Sequence, residues 1–154
     1  MNPGEKNRIA GKADPHLHEQ VMTRIESRKE TIAQPAEQVF QFLSDFNNIG
    51  KLMPEQVEGF TVDGETCKFT IKGMASLGLK YEQKTPNSEI VMVKHEKAPF
   101  DLKLICKIED KGAESGLQLF FDADLNPFLK MMAEKPLENF LNLLIGKYKT
   151  IAAA

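Results

Sequence analysis

Between Val57 and Asp124 the chain runs in segments that alternate apolar and polar residues, and only short polar turns separate them. A period of two sends successive side chains to opposite faces of a strand, so this stretch is constrained to become a sheet. In CKFTIKG, Cys67, Phe69 and Ile71 share one face, and Lys68, Thr70 and Lys72 the other. Phe100, Leu102, Leu104, Cys106 and Ile108 oppose Asp101, Lys103, Lys107 and Glu109. Leu117, Leu119, Phe121 and Ala123 oppose Gln118, Asp122 and Asp124. The spacing predicts strands over 57–62, 67–73, 79–85, 89–96, 100–109 and 117–123. DGE at 63–65, TPNS at 85–88 and DKGAESG at 110–116 supply turns, Asp-Gly because it tolerates positive φ. Connections this short join antiparallel neighbours, and one polar face implies a sheet wet on one side.

The flanks read differently. TRIESRKETI, 23–32, has strand length with poor alternation and counts as a first, seventh strand. Pro35 then opens a helix in which Ala36, Val39, Phe40 and Leu43 keep helical spacing. That helix is expected to break near Asn47-Asn48. A short second one, IGKLM, ends at Pro54. Asn126-Pro127 gives a cap and a first-turn proline to a long helix reaching about Ile151, striped by Leu137, Phe140, Leu141, Leu144 and Tyr148. Pro136 removes an N–H from its interior, so a kink or a restart is expected there. Residues 1–21 are polar and carry Pro3, Gly4, Gly11 and Pro15, which predicts a disordered tail before a domain at 22–154.

Composition narrows the function classes. A chain of 154 residues fits one domain. Its net charge of −2 lacks the basic footprint of a nucleic-acid binder. Two cysteines without CxxC exclude a disulfide framework or a four-cysteine zinc site. Both lie in alternating runs, which reads as buried thiols of a cytoplasmic protein. His16 and His18 near Asp14 form an HxH pair on the polar tail, read as solvated, so no metal or other cofactor is expected. No apolar run approaches the ~20 residues of a membrane helix, and there is no signal-peptide core.

The order is strand, two short helices, six sequential strands and one long helix, which makes an α+β chain. It resembles the START-like helix-grip superfamily, also called Bet v 1-like or SRPBCC, which includes pollen allergens, lipid-transfer START domains and polyketide cyclases. "ESRKETIAQPAEQVFQFLSDFNNIGKLMP" resembles that superfamily's first strand and helix pair, and "LNPFLKMMAEKPLENFLNLLIGKYK" its C-terminal helix. The likeness spans 23–151. It implies a seven-stranded curved antiparallel sheet gripping the terminal helix, with a cavity between them. No catalytic motif carries over, and the superfamily hosts many functions.

The turns sort into two sets. One is polar. The other, GMASLG (73–78), EKAPF (96–100) and DLNPFLKMM (124–132), carries Met74, Leu77, Pro99, Phe100, Phe128, Leu129, Met131 and Met132. By resemblance that apolar end is the cavity mouth, with GMASLG as a hinged turn over it; the competing reading is a plug of core side chains. Expected ligand contacts are Phe69, Ile71, Met74, Leu77, Tyr81, Phe100, Leu102, Leu104, Leu119, Phe121, Phe128, Met131, Met132, Phe140 and Leu144. A void of about 300 Å³ at roughly 24 cal/mol per Å³ would cost about 7 kcal/mol, against ~5–15 kcal/mol of total stability. Inward Phe69, Phe121 and Phe140 therefore argue for a modest pocket.

The expected function is binding of a small apolar or amphipathic molecule, lipid-, sterol- or polyketide-like. The alternatives are a cyclase- or dehydratase-like enzyme and a co-chaperone-like interaction module. Catalytic candidates are few. His95 shares parity with Val91 and Val93 and is read as inward, near hydroxyls of Tyr81 and Tyr148. Asp122 and Asp124 fall on the outer parity, a solvated face.

Overall fold

The computed structural model describes residues 22–96 and 98–154; the tail and its HxH pair lie outside the described residues. The first strand is two. β1 (Thr23–Glu26) and β2 (Glu30–Ile32) both pair with the same later strand. Between them Ser27, Arg28 and Lys29 face only Gln118 and Leu119, one residue too many, which is a β-bulge. Ser27 keeps the ladder through its hydroxyl: its N–H donates to the Leu119 carbonyl and its Oγ accepts from the Leu119 N–H, both at 2.9 Å. The extra residue flips parity, so Ile25 and Ser27 point inward and then Ile32 does. That flip is why 23–32 alternates poorly.

Helix α1 (Ala36–Leu43) buries Ala36, Val39 and Leu43. The break comes earlier than Asn47-Asn48. Asp45 caps α2 (Phe46–Gly50) by accepting from the Asn47 N–H, and this frees Phe46 to turn into the core. Then follow β3 (Val57–Asp63), β4 (Thr66–Ile71), β5 (Ala75–Thr85), β6 (Glu89–Lys94), β7 (Leu102–Lys111), β8 (Glu114–Ala123) and α3 (Pro127–Ala153). All pairings are antiparallel, in the order β1-β8-β7-β6-β5-β4-β3 with β2 beside β1 on β8. This is the expected helix-grip architecture, with a curved sheet of eight strands where seven were counted.

One turn is much shorter than its sequence suggested. Only Lys72, Gly73 and Met74 form the β4–β5 connection, closed by the Met74 N–H on the Ile71 carbonyl, with Gly73 at φ +76°. Residues 75–78 of GMASLG are strand. Leu77 stands opposite Phe69 on the inner face and is buried, so it is a core residue rather than the lip of a mouth.

The inner face and α3 share one core. The outer face carries a second, small one: Val91, Ile105 and Phe120, with Val93 beside them. The Arg24 guanidinium covers the Phe120 ring at 4.7 Å while making two hydrogen bonds to Asp122, at 2.7 and 2.8 Å. This corrects the parity of β6. Ile90 and Met92 point inward, and Val91 and Val93 outward.

Helix α3 packs chiefly on β1, β2 and β8. Asn126 caps it by accepting from the Leu129 N–H at 2.8 Å, and Pro127 occupies its first turn. It passes through Pro136 without a restart. Pro136 is exposed, so its ring meets solvent rather than core.

Candidate functional site

Most of the expected ligand contacts are brought together, but against one another. Phe69, Ile71, Leu77, Leu102, Leu104, Leu119, Phe121, Phe140 and Leu144 belong to one buried cluster, and Met74, Tyr81 and Phe100 pack on it half-buried. Four rings form a continuous column from sheet edge to helix and back: Phe60–Phe69 at 5.8 Å, Phe69–Phe140 at 5.9 Å and Phe140–Phe121 at 6.1 Å. Aromatic side chains at these spacings fill the width between sheet and helix. Phe128, Met131 and Met132 do the opposite. They are 64%, 77% and 58% exposed, on the outward side of the first turns of α3.

A groove of about 1230 Å³ lies beside α3. One wall is the α2–β3 connection, Leu52, Met53, Pro54, Glu55 and Gln56. It is folded by successive turns: Leu52 N–H to the Ile49 carbonyl, Met53 to Gly50 and Val57 to Pro54. The Lys72 N–H donates to the Gln56 carbonyl at 2.8 Å and fastens this wall to the β4–β5 turn. The other wall is one face of α3: Asn139, Asn142, Leu143, Gly146, Lys147 and Thr150, spaced by three and four. Arg28, lifted out of the ladder by the bulge, sits at its edge. Its N–H donates to Asn142 Oδ1 at 2.8 Å, and its guanidinium pairs with Glu30 at 3.0 Å. Lys149, at 2.9 Å, and Arg28 hold the Glu30 carboxyl below its usual range.

The groove is amphipathic. Leu52, Met53, Pro54 and the 43% exposed Leu143 offer apolar surface. Carboxamides and cations offer hydrogen bonds along the rest. None of its residues stood among the sequence candidates. Leu143 carried the one available signal, a leucine off the buried stripe of α3.

The titratable candidates are dispersed. The Tyr81 hydroxyl donates to the Leu43 carbonyl at 2.7 Å, its ring stacks on Phe46 at 4.2 Å, and Lys84 reaches the next carbonyl, of Ser44. Together they cap the C-terminal end of α1, where cations and donors are favoured. Tyr148 donates to Gln34 Oε1 at 2.8 Å and stacks on Phe42 at 4.5 Å. Burial raises the pKa of both phenols, so neither is poised to ionise. Burial also pushes the thiols of Cys67 and Cys106 up to about 12.

His95 follows Val91 and Val93 to the outer face. It lines a small pocket of about 210 Å³ with Gly59, Lys68, Thr70, Ser76, Gly78 and Glu96. Its Nε2 lies 3.6 Å from Glu96, which pairs with Lys68 at 3.0 Å. Only glycine fits at 78, because a Cβ there would stand 2.4 Å from the His95 carbonyl oxygen. So His95, Tyr81 and Tyr148 occupy three separate places. Asp122 is engaged by Arg24 on the outer face, as its parity implied. Among the described residues no group of three or more His, Cys, Asp or Glu side chains could hold a metal.

Solved structures share this fold. A START superfamily protein from Mycobacterium smegmatis superposes with a TM-score of 0.62 at 16% identity, over 83% of this chain and 98% of that one. The fold is START-like, of the Bet v 1 helix-grip kind. A norcoclaurine synthase point mutant from Thalictrum flavum, solved with a transition state analogue, gives a TM-score of 0.66 at 11% identity, covering 86% of this chain and 95% of that one. The protein XoxI from Bacillus cereus gives 0.69 at 11%, covering 86% and 96%. No family model and no curated protein sequence matches the chain. The START-like likeness is thus carried by backbone, with identities too low to transfer a role to any residue. Among the described residues no helix is long and apolar enough to cross a membrane.

Proposed function

We propose that this protein binds a small amphipathic molecule between α3 and the rest of the fold, along the groove walled by the α2–β3 connection. The observation that carries the reading is the groove itself. Small-ligand sites are concave and combine apolar surface with a few polar groups that fix orientation, and this groove sets Leu52, Met53 and Leu143 beside carboxamides and cations. The inner cluster around Phe69, Phe121 and Phe140 then forms the wall behind the ligand rather than its container. The fold neighbours support the reading at the level of the fold alone, since one of them was solved with a small-molecule analogue. Binding is favoured over catalysis because His95, Tyr81 and Tyr148 are not within reach of a common point, and acid–base chemistry needs such groups convergent. We further place the protein in the cytoplasm, where two free thiols stay reduced, with residues 22–154 as its folding unit.

Titration with a neutral apolar fluorescent probe tests this. Saturable uptake is expected, weakened several-fold by Leu143→Gln with an unchanged melting temperature. No uptake by the wild type, or equal uptake by Leu143→Gln, overturns it. Native mass spectrometry of the freshly purified protein identifies any molecule retained.

A further inference from the structure

The groove has a sign. Its lining carries three cations, Arg28, Lys72 and Lys147, against one carboxylate, Glu55, on a chain whose net charge is −2. Arg28 is already engaged by Glu30 at 3.0 Å. Lys72 and Lys147 are different: among the described residues neither side chain has an ion-pair partner. Six of the other described lysines form ion pairs; Lys68 reaches Glu96, Lys84 Glu65, Lys94 Asp101 and Lys149 Glu30, each within 3.0 Å. Six more, Lys51, Lys80, Lys103, Lys107, Lys111 and Lys130, do not, so what sets Lys72 and Lys147 apart is their place in the groove. Lys147 also has no acidic residue three or four positions away on α3, where a helix would place a partner. Lys72, on the β4–β5 turn, and Lys147, on the helix, line the groove from opposite walls. A cleft lined by one sign of charge concentrates ligands of the other.

We propose that the groove selects amphipaths with an anionic head group, which Lys72 and Lys147 receive while Leu52, Met53 and Leu143 hold the apolar body. This rests on the binding reading above and adds the class of ligand. A neutral sterol or alcohol would leave both ammonium groups unanswered. A cationic amphipath would be repelled.

Displacement of the neutral probe by a fatty carboxylate and by the fatty alcohol of the same chain length, at low ionic strength, tests it. The carboxylate is expected to displace the probe at about fivefold lower concentration, the size of one exposed ion pair. In Lys72→Gln/Lys147→Gln that preference should vanish while the alcohol displaces as before, and the melting temperature of the variant checks its fold. Raising the salt concentration should shrink the preference in the wild type. Equal displacement by the two in the wild type, or a preference that survives in the double variant, overturns the anionic selection and leaves the groove reading standing. Failure of both compounds to displace the probe overturns the two together.

Discussion

The two halves of α3 are built from similar residues and put to different use. After Pro136 the helix buries Leu137, Phe140, Leu141, Leu144, Ile145 and Tyr148. Before it, Ala133 is the one buried residue, while Phe128, Met131 and Met132 face solvent. Both halves are apolar in composition. What separates them is how they meet the core: the C-terminal half sets six side chains in it and stacks Tyr148 on Phe42 of α1, while the N-terminal half reaches it through Ala133 and the half-buried Leu129. Hydrophobic stabilisation follows area removed from water, so it resides almost wholly after Pro136.

Four measurements by urea denaturation break or sharpen this contrast. Phe140→Ala removes the helix's ring, one of the two inner rings of the aromatic column, and should cost about 3–5 kcal/mol; a cost under about 1 kcal/mol would mean that the helix is not seated on the sheet. Leu77→Ser comes next, expected to cost roughly 2–5 kcal/mol, as Leu104→Ser should. Leu77 lies at the same end of the molecule as the exposed turns of α3. A cheap Leu77→Ser beside a costly Leu104→Ser would show that the softness extends into the sheet, and restore the mouth that GMASLG suggested. Tyr148→Phe keeps the ring on Phe42 and loses the bond to Gln34, for about 0.5–1.5 kcal/mol. Last, Phe128→Ser with Met131→Gln should stay within about 0.5 kcal/mol of the wild type. A larger loss would mean that these side chains are covered in solution.

The parts of this fold that could be read from the chain are those written in local periodicity. The alternation in β7 and β8 and the Asp-Gly hairpin placed strands, faces and order. Where both faces of a strand are apolar the period says nothing about which is inside, and so β6, with Ile90 and Met92 against Val91 and Val93, gave His95 the wrong side. The first strand hid its bulge because a parity flip looks like disorder in the pattern. Leu77 was misplaced by its glycines: Gly73 marks a turn, but Gly78 sits in a strand to clear the His95 carbonyl. The groove was out of reach for a different reason. Its walls lie some ninety residues apart in the chain, and its width depends on how far α3 leans toward β1 and β8, a non-local outcome that no window of sequence contains.

The two buried thiols give the molecule a pair of internal clocks. Cys67 lies on β4 and Cys106 on β7, so each reports on its own part of the sheet, and with pKa values pushed up to about 12 neither is a nucleophile while the sheet is closed. A thiol reagent can therefore react only with molecules that have opened, and the rate of labelling measures how often each strand is laid bare. Equal rates would mean that the sheet opens as one cooperative unit. Faster labelling at Cys67 would mean that the β3–β5 side, which meets α3 through Phe69 on Phe140, parts from the helix on its own, widening the groove without unfolding the protein.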